Sequence, residues 1–259
     1  MSTVAQPARS VAAGRFSETS PVVIARVAGV LYLAIFVCGL FAELVVRTRL
    51  IESGDAAATA GNILADEWLY RLGFAADIVV VLADAALAVL FYVLLRPVNS
   101  TLALLAAAFR LVQTAVLALN LLNHYMALQV LRDDAYAGLP GNELDALAYS
   151  YLDAHGYGYL IGLTFFGVSL ALMGYLVYRA PYFPRFLGVL LGLAAIGYLV
   201  DSFMFFLVPD YDGAVSPVVL APAVIAELAM ILWLLIKGVD LPGWRRATEP
   251  EPAASRAGA

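Results

Sequence analysis

The chain has 259 residues, of which 63% are hydrophobic and 14% are charged, and its formal net charge is −5. A soluble domain averages about 45–50% apolar and about 25% charged residues, so a soluble fold of this size could not bury so much apolar surface. The excess must face lipid, which excludes a cytosolic enzyme and a disordered chain. No basic patch is long enough to indicate a nucleic-acid binder.

Six apolar runs are long enough to cross a bilayer, which takes about 20 helical residues. They are helices, because an isolated strand could not satisfy its backbone hydrogen bonds in lipid. The predicted spans are residues 27–46, 72–95, 101–124, 156–178, 184–208 and 216–236. We therefore predict an all-α fold, a polytopic membrane bundle of six transmembrane helices over 22–240, with disordered cytoplasmic segments at 1–21 and 241–259.

Two of the loops have helical patterns of their own. Residues 55–70 begin with Asp55, a good N-cap, and residues 142–154 begin with Asn142 after the chain-breaking pair Pro140-Gly141. Trp68 and Tyr70 in the first segment, and two tyrosines in the second, suit the headgroup level of a bilayer. We expect two short interfacial helices on the outer surface.

The distribution of lysine and arginine predicts the orientation. Ten of the fifteen lie on the side that carries both termini, four lie on the opposite side, and Arg110 is inside a helix. Because cytoplasmic loops carry the excess of these residues, we expect both termini in the cytoplasm and a location in the bacterial inner membrane. The one cysteine, Cys38, excludes an intrachain disulfide.

Ionisable residues interrupt the apolar runs. A charged side chain at the centre of a membrane helix costs about 2.5–3.5 kcal/mol on the insertion scale, so these residues should face the bundle interior. The six residues of this kind are Glu43, Asp77, Asp84, Arg110, Asp201 and Glu227.

The third span carries a polar stripe. At 100° per residue, Gln113, Asn120 and His124 lie on the same side of the helix as Arg110. Asp84 precedes the turn at 96–100 by about as many residues as Arg110 follows it, and a rise of 1.5 Å per residue puts both at the same depth. We predict an Asp84–Arg110 ion pair near mid-bilayer. Its role is structural or functional, and the sequence leaves both open.

The predicted polar residues concentrate in the outer half of the bundle, where His155 begins the fourth span. We expect a polar cavity that opens outward and is lined by Glu43, Asp77, Asp84, Arg110, Gln113, Asn120, His124, His155, Asp201 and Glu227.

The two histidines of the chain lie near carboxylates. His124, His155 and Asp77, with Glu43 or Asp201, include enough ligands for a divalent metal, since a zinc hydrolase needs about three. The chain has no H-E-x-x-H motif and no histidine pair on one helix. We therefore favour hydrogen-bonded histidines and expect no cofactor, with Asp77, His124 and His155 as the candidates if a metal binds.

Several longer segments resemble a family of bacterial multi-pass membrane proteins, domain-of-unknown-function family 4386. The resemblance extends over about 22–240. It rests on residues 26–33, 54–60, 62–64, 95–99, 109–113, 120–123, 155–162, 184–188 and 197–202. It implies a membrane protein and no particular chemistry.

Three functions remain open. The first is a non-enzymatic membrane protein whose polar cavity binds a small ligand or an ion. The second is a metal-dependent intramembrane hydrolase of a lipid or amphiphile, and the third is a structural scaffold. The expected partners are the lipid bilayer, a small ligand or ion and a second copy in a homodimer, but no nucleic acid.

Overall fold

The structure is a computed structural model that describes residues 19–136, 138–209, 211 and 216–248, with the backbone alone at 216–220. The disorder predicted for 1–18 and 249–259 lies outside the described residues. Within the described part the chain is helical. The helices are α1 (Pro21–Leu50), α2 (Ala56–Ala65), α3 (Glu67–Leu95), α4 (Ser100–Arg132), α5 (Gly141–Arg179), α6 (Arg185–Leu207), α7 (Ser216–Ile236) and α8 (Leu241–Thr248).

Five helices are long and apolar enough to cross a bilayer, namely α1, α3, α4, α5 and α6. They correspond to the first five predicted spans. The sixth predicted span is α7, which has 21 residues and an apolar stretch at Ala221–Ile236. The all-α class and the polytopic bundle are confirmed.

Side-chain caps fix where three of the helices begin. Asp55 accepts a hydrogen bond from the backbone N–H of Ala58, Asp66 from Leu69, and Asn99 from Leu102. Each cap satisfies an N–H group that has no partner inside its own helix. The short turn before Asn99 therefore places α3 and α4 side by side and antiparallel.

The two predicted interfacial helices have different outcomes. The first is a separate helix, α2, but it ends at Ala65 because Asp66 caps α3. The second is wrong as a separate element, since 142–154 form the first turns of α5. Two glycines in this part of α5 let α4 pack closely, Gly158 and Gly162: a Cβ at Gly162 would lie 2.7 Å from the Leu117 side chain.

Part of the predicted C-terminal tail is also ordered. Residues 241–248, assigned to a disordered segment, form α8. The backbone N–H of Gly243 donates to Asp240 at 2.8 Å, and the Trp244 ring packs edge-on against Tyr182 with 5.0 Å between centroids. This aromatic contact gives the helix a packed side, which the polar composition of the tail does not indicate.

The long helices form a closed ring in which chain neighbours pack together. Contacts join α1 to α3, α3 to α4, α4 to α5, α5 to α6, α6 to α7, and α7 back to α1. The outside of the ring is apolar, with Leu82 and Leu119 each 68% exposed, while the charged Asp84 and Arg110 are 3% and 1% exposed within a mostly apolar interior. Exposed leucines together with buried charges are the pattern expected of a protein whose solvent is lipid.

Helices α5 and α6 touch backbone to backbone at a crossing of glycines. A Cβ added at Gly188 would lie 2.6 Å from the Gly174 carbonyl oxygen, and one at Gly174 would lie 2.9 Å from the backbone N of Gly192. Small residues at this crossing let the two backbones touch, which is how membrane helices commonly associate.

Candidate metal centre

Asp84 of α3 and Arg110 of α4 form the buried ion pair that the sequence predicts. The Nε and Nη2 atoms of Arg110 donate to one Asp84 oxygen at 2.8 and 2.5 Å. The hydroxyl of Thr114, which sequence reasoning missed, donates to the other oxygen at 2.5 Å. The carboxylate is therefore bonded on both sides, as a buried charge requires.

Aromatic rings enclose this ion pair. The guanidinium carbon of Arg110 lies 5.5, 5.9 and 5.1 Å from the ring centroids of Tyr32, Phe91 and Phe166. The space beside Arg110 has a volume of about 10 Å³, room for about one water molecule. A packed pair of this kind fits a structural role.

A second polar cluster, which we call the triad, joins three helices. Asp77 of α3, His124 of α4 and His155 of α5 each offer one ligand atom, and these three atoms lie within 4.8 Å of one another. Both histidines are buried, and the Asp77 side chain is 14% exposed. The sequence named these residues as metal candidates, and the structure brings them together.

His124 is buried without a hydrogen bond from its ring. It is 2% exposed, and neither ring nitrogen has a hydrogen-bond partner among the described residues. An Asp77 oxygen lies 3.7 Å from its Nδ1. The Tyr70 ring packs edge-on at 4.4 Å between centroids, and the Tyr70 hydroxyl donates to the backbone carbonyl of His124. The imidazole is thus held in place while both of its nitrogens stay available.

The protonation of His155 follows from its neighbours. Its Nε2 lies 3.2 Å from an Arg47 nitrogen, and a guanidinium can only donate, so Nε2 accepts. The proton is then on Nδ1, which lies 3.2 Å from the backbone carbonyl oxygen of Asn120. The Asn120 amide in turn donates to the His155 carbonyl at 2.7 Å. An imidazole that donates one N–H to a carbonyl and turns its other nitrogen inward is typical of a metal-bound histidine.

Arg47 is the residue that sequence reasoning missed at this site, since it was counted in an outer loop. Its Nη2 lies 2.5 Å from Asp77 Oδ2 and its Nη1 lies 3.4 Å from Glu43. Helix α1 continues to Leu50 and is wound as a π-helix over Phe41–Arg47. One signal for Arg47 was present: Tyr32, Gly39 and Glu43 share a helix face, and Arg47 is one turn further on.

The remaining predicted residues lie outside the triad. Glu43 is 65% exposed and contacts Arg47, Glu227 accepts a hydrogen bond from Tyr198 at 2.6 Å, and Asp201 accepts one from Tyr211 at 2.8 Å. The bond to Asp201 raises the pKa of Tyr211. Gln113 is buried, and its Oε1 has no hydrogen-bond partner among the described residues.

A cleft lies beside the triad at the ends of α3 and α4. Its volume is about 150 Å³, and its walls include Tyr70, Phe74 and Tyr125. The rings of Tyr70 and Phe74 also pack against the ring of His124, at 4.4 and 6.0 Å between centroids. These two rings therefore separate the cleft from the triad.

Comparison with known proteins places this architecture in a family. The family model described as "Domain of unknown function (DUF4386)" matches residues 27–238. The chain belongs to this family. The match includes all three residues of the triad, Arg47 and the Asp84–Arg110 pair.

A relative of the chain is an uncharacterized protein of Archaeoglobus fulgidus. The two are 32% identical over 162 residues, which cover 62% of this chain and 81% of the relative. No solved structure matches. The family description and the long apolar helices together fit a membrane protein whose function is uncharacterised.

Proposed function

We propose that the protein is a membrane protein that binds a divalent transition-metal ion, with zinc the best fit, through Asp77, His124 and His155. The observation that carries this proposal is the convergence of three ligand atoms within 4.8 Å, one of them on an imidazole whose two buried nitrogens have no hydrogen-bond partner in the described part of the chain. The sequence leaves open whether the protein binds a small ligand or an ion, and we propose that it binds this metal ion.

The chemistry of the triad favours zinc. Two imidazoles and one carboxylate are ligands that zinc accepts, at about 2.0–2.2 Å each. Tetrahedral geometry at those lengths puts ligand atoms about 3.4 Å apart. The ligand atoms of the triad are at most 4.8 Å apart, so small side-chain movements would bring them to the distances that zinc requires. Three protein ligands leave a fourth position for water or a small ligand.

The proposed placement in the membrane follows from charge and depth. The lysine and arginine asymmetry supports cytoplasmic termini in an inner membrane. In that orientation the start of α3 and the ends of α1 and α4 are on the outer side, so the triad lies in the outer half of the bundle.

Metal analysis of detergent-purified protein tests the proposal. We expect about one zinc per chain in wild type, less than a tenth of that in His124→Ala and Asp77→Asn, and full occupancy in Asp201→Asn. Asp201 is the matched control, because it is a buried carboxylate with one tyrosine partner. Size-exclusion profiles check that each variant is folded. Wild type without stoichiometric metal after zinc loading would contradict the proposal.

A hydrolase that acts on an amphiphile is a second candidate function, favoured by the cleft of about 150 Å³ that the rings of Tyr70 and Phe74 separate from His124; these rings would have to turn aside for a substrate to reach the metal. Its walls are mostly aromatic and apolar, with Arg71 at the edge, which suits an ester with an apolar chain and an anionic head. Zinc-dependent turnover of a fluorogenic acyl ester in mixed micelles, lost in His124→Ala, supports this candidate. Full zinc occupancy without turnover of acyl esters of several chain lengths points to metal binding alone.

A further inference from the structure

Arg47 lies among the atoms that would bind the metal. A single atom, Nη2, is 2.5 Å from Asp77 Oδ2 and 3.2 Å from His155 Nε2. The side chain is 16% exposed, so the guanidinium is largely withdrawn from solvent. The guanidinium of Arg47 is therefore a positive charge of the protein itself that contacts two of the three proposed metal ligands.

We infer that Arg47 determines the affinity of the triad for divalent cations, by holding the ligand atoms in the absence of metal and moving toward Glu43 when metal binds. The inference rests on the proposed function. It goes beyond that function in stating that Arg47 competes with the metal for Asp77 and His155, which neither the family description nor the three ligands imply.

Geometry makes the two cations mutually exclusive. Zinc would lie about 2 Å from the Asp77 oxygen and the His155 nitrogen, and Nη2 is within 3.2 Å of both atoms. A guanidinium has no acceptor and cannot lose its proton in a protein, so it cannot bind the metal. Like charges repel strongly at this separation in a buried site. Arg47 must therefore leave before metal can bind.

Glu43 provides the alternative position. Its carboxylate is one turn back on α1, and Oε2 already lies 3.4 Å from Nη1 of Arg47. Because Glu43 is 65% exposed, a guanidinium paired with it would be hydrated. The movement replaces a buried partner by an exposed one, so the positive charge of Arg47 is never left unpaired.

The backbone between these residues is unusual. Over Phe41–Arg47 the helix has π-helical winding, and the backbone carbonyl of Glu43 accepts from both the N–H and the hydroxyl of Thr48. π-Helical turns are rare and occur frequently at functional sites. Here the π-helical segment contains both Arg47 and its alternative partner, which links this irregularity to the site.

Competition of this kind lowers the apparent affinity for metal. Only molecules whose ligand atoms are released from Arg47 can bind, so the dissociation constant rises by the inverse of their fraction. Neutralising residue 47 should therefore tighten zinc binding. Neutralising Glu43 should weaken zinc binding, because the displaced guanidinium then has no carboxylate to pair with.

The test is zinc titration of detergent-purified protein against a chromogenic chelator. We expect Arg47→Gln and Arg47→Met to bind zinc at least tenfold more tightly than wild type, and Glu43→Gln to bind severalfold more weakly. Arg49→Gln is the matched control and should be unchanged, since Arg49 is on the same helix but is 69% exposed and paired with Asp66.

Outcomes separate the inference from the proposed function. If wild type binds one zinc that His124→Ala loses, and the neutral variants at 47 bind no more tightly, the inference fails and the metal site stands. If neither wild type nor the folded variants bind zinc, the proposed function fails as well. Should both variants at 47 fail to fold, an unchanged affinity in Glu43→Gln would overturn the inference.

Discussion

Asp84 and Arg110 meet inside the helix ring, with Nη2 of the arginine 2.5 Å from an oxygen of the aspartate. Breaking a buried pair strands a charge, at a cost of about 3–5 kcal/mol. We therefore expect Asp84→Asn to lower the free energy of unfolding by that amount in thermal or denaturant unfolding in detergent. The double variant Asp84→Asn/Arg110→Met should recover at least half of the loss. A single variant as stable as wild type would contradict a structural role.

The glycine contact between α5 and α6 gives a second prediction. Gly188→Ala places a Cβ 2.6 Å from the Gly174 carbonyl oxygen, so the two helices must separate. Overpacking of this kind typically costs about 1–3 kcal/mol, which a lower unfolding temperature would reveal. Gly192→Ala is the control, since a Cβ there meets nothing within 4 Å. Equal effects of the two substitutions would show that the contact does not matter.

Asn120 supports the triad, and a glycine makes room for it. A Cβ at Gly158 would overlap the Asn120 side chain, whose amide bonds the backbone of His155. Because changes behind metal ligands typically cost about 10–100-fold in affinity, we expect Gly158→Ala to weaken zinc binding by that factor. Gly156→Ala, which meets nothing within 4 Å, should bind zinc as wild type does. Unchanged zinc affinity in folded Gly158→Ala would contradict a role of Asn120 in supporting the metal ligands.

The proposed orientation is testable with two serines. In a background with Cys38→Ala, we expect a membrane-impermeant maleimide on spheroplasts to label Ser53→Cys, in the loop after α1, and to leave Ser100→Cys, at the start of α4, unlabelled. Both serines are exposed in the structure, so accessibility within the fold is matched. The reverse labelling pattern would put the triad on the cytoplasmic side.

The Asp84–Arg110 pair was predictable because both helices leave the same short turn and rise equally per residue. Asp77 and His124 belong to that hairpin too, but equal rise puts them about 7 Å apart in depth, so their contact did not follow from the turn alone. His155 was named with them as a metal candidate, but its contact with Asp77 and His124 was not derivable, because depth alone does not say which helices are neighbours in the ring.

Arg47 was missed for a physical reason. Apolar periodicity ends the first span at 46, whereas the helix continues to Leu50 through a π-helical segment that no hydrophobic pattern indicates. Glu43 and Asp201, which the sequence offered as alternative additional ligands if a metal binds, instead pair with Arg47 and Tyr211. Which partner a carboxylate takes depends on the rotation and position of its helix to within a few ångströms, and sequence spacing does not specify them that precisely.

The most direct test of the metal centre is X-ray absorption at the zinc edge of protein loaded with one equivalent of zinc. We expect three or four nitrogen and oxygen ligands at about 2.0–2.2 Å. Outer-shell scattering should come from two imidazoles in wild type and from one imidazole in His155→Ala. A spectrum without imidazole scattering, or one identical in wild type and His155→Ala, would contradict the assignment of the triad.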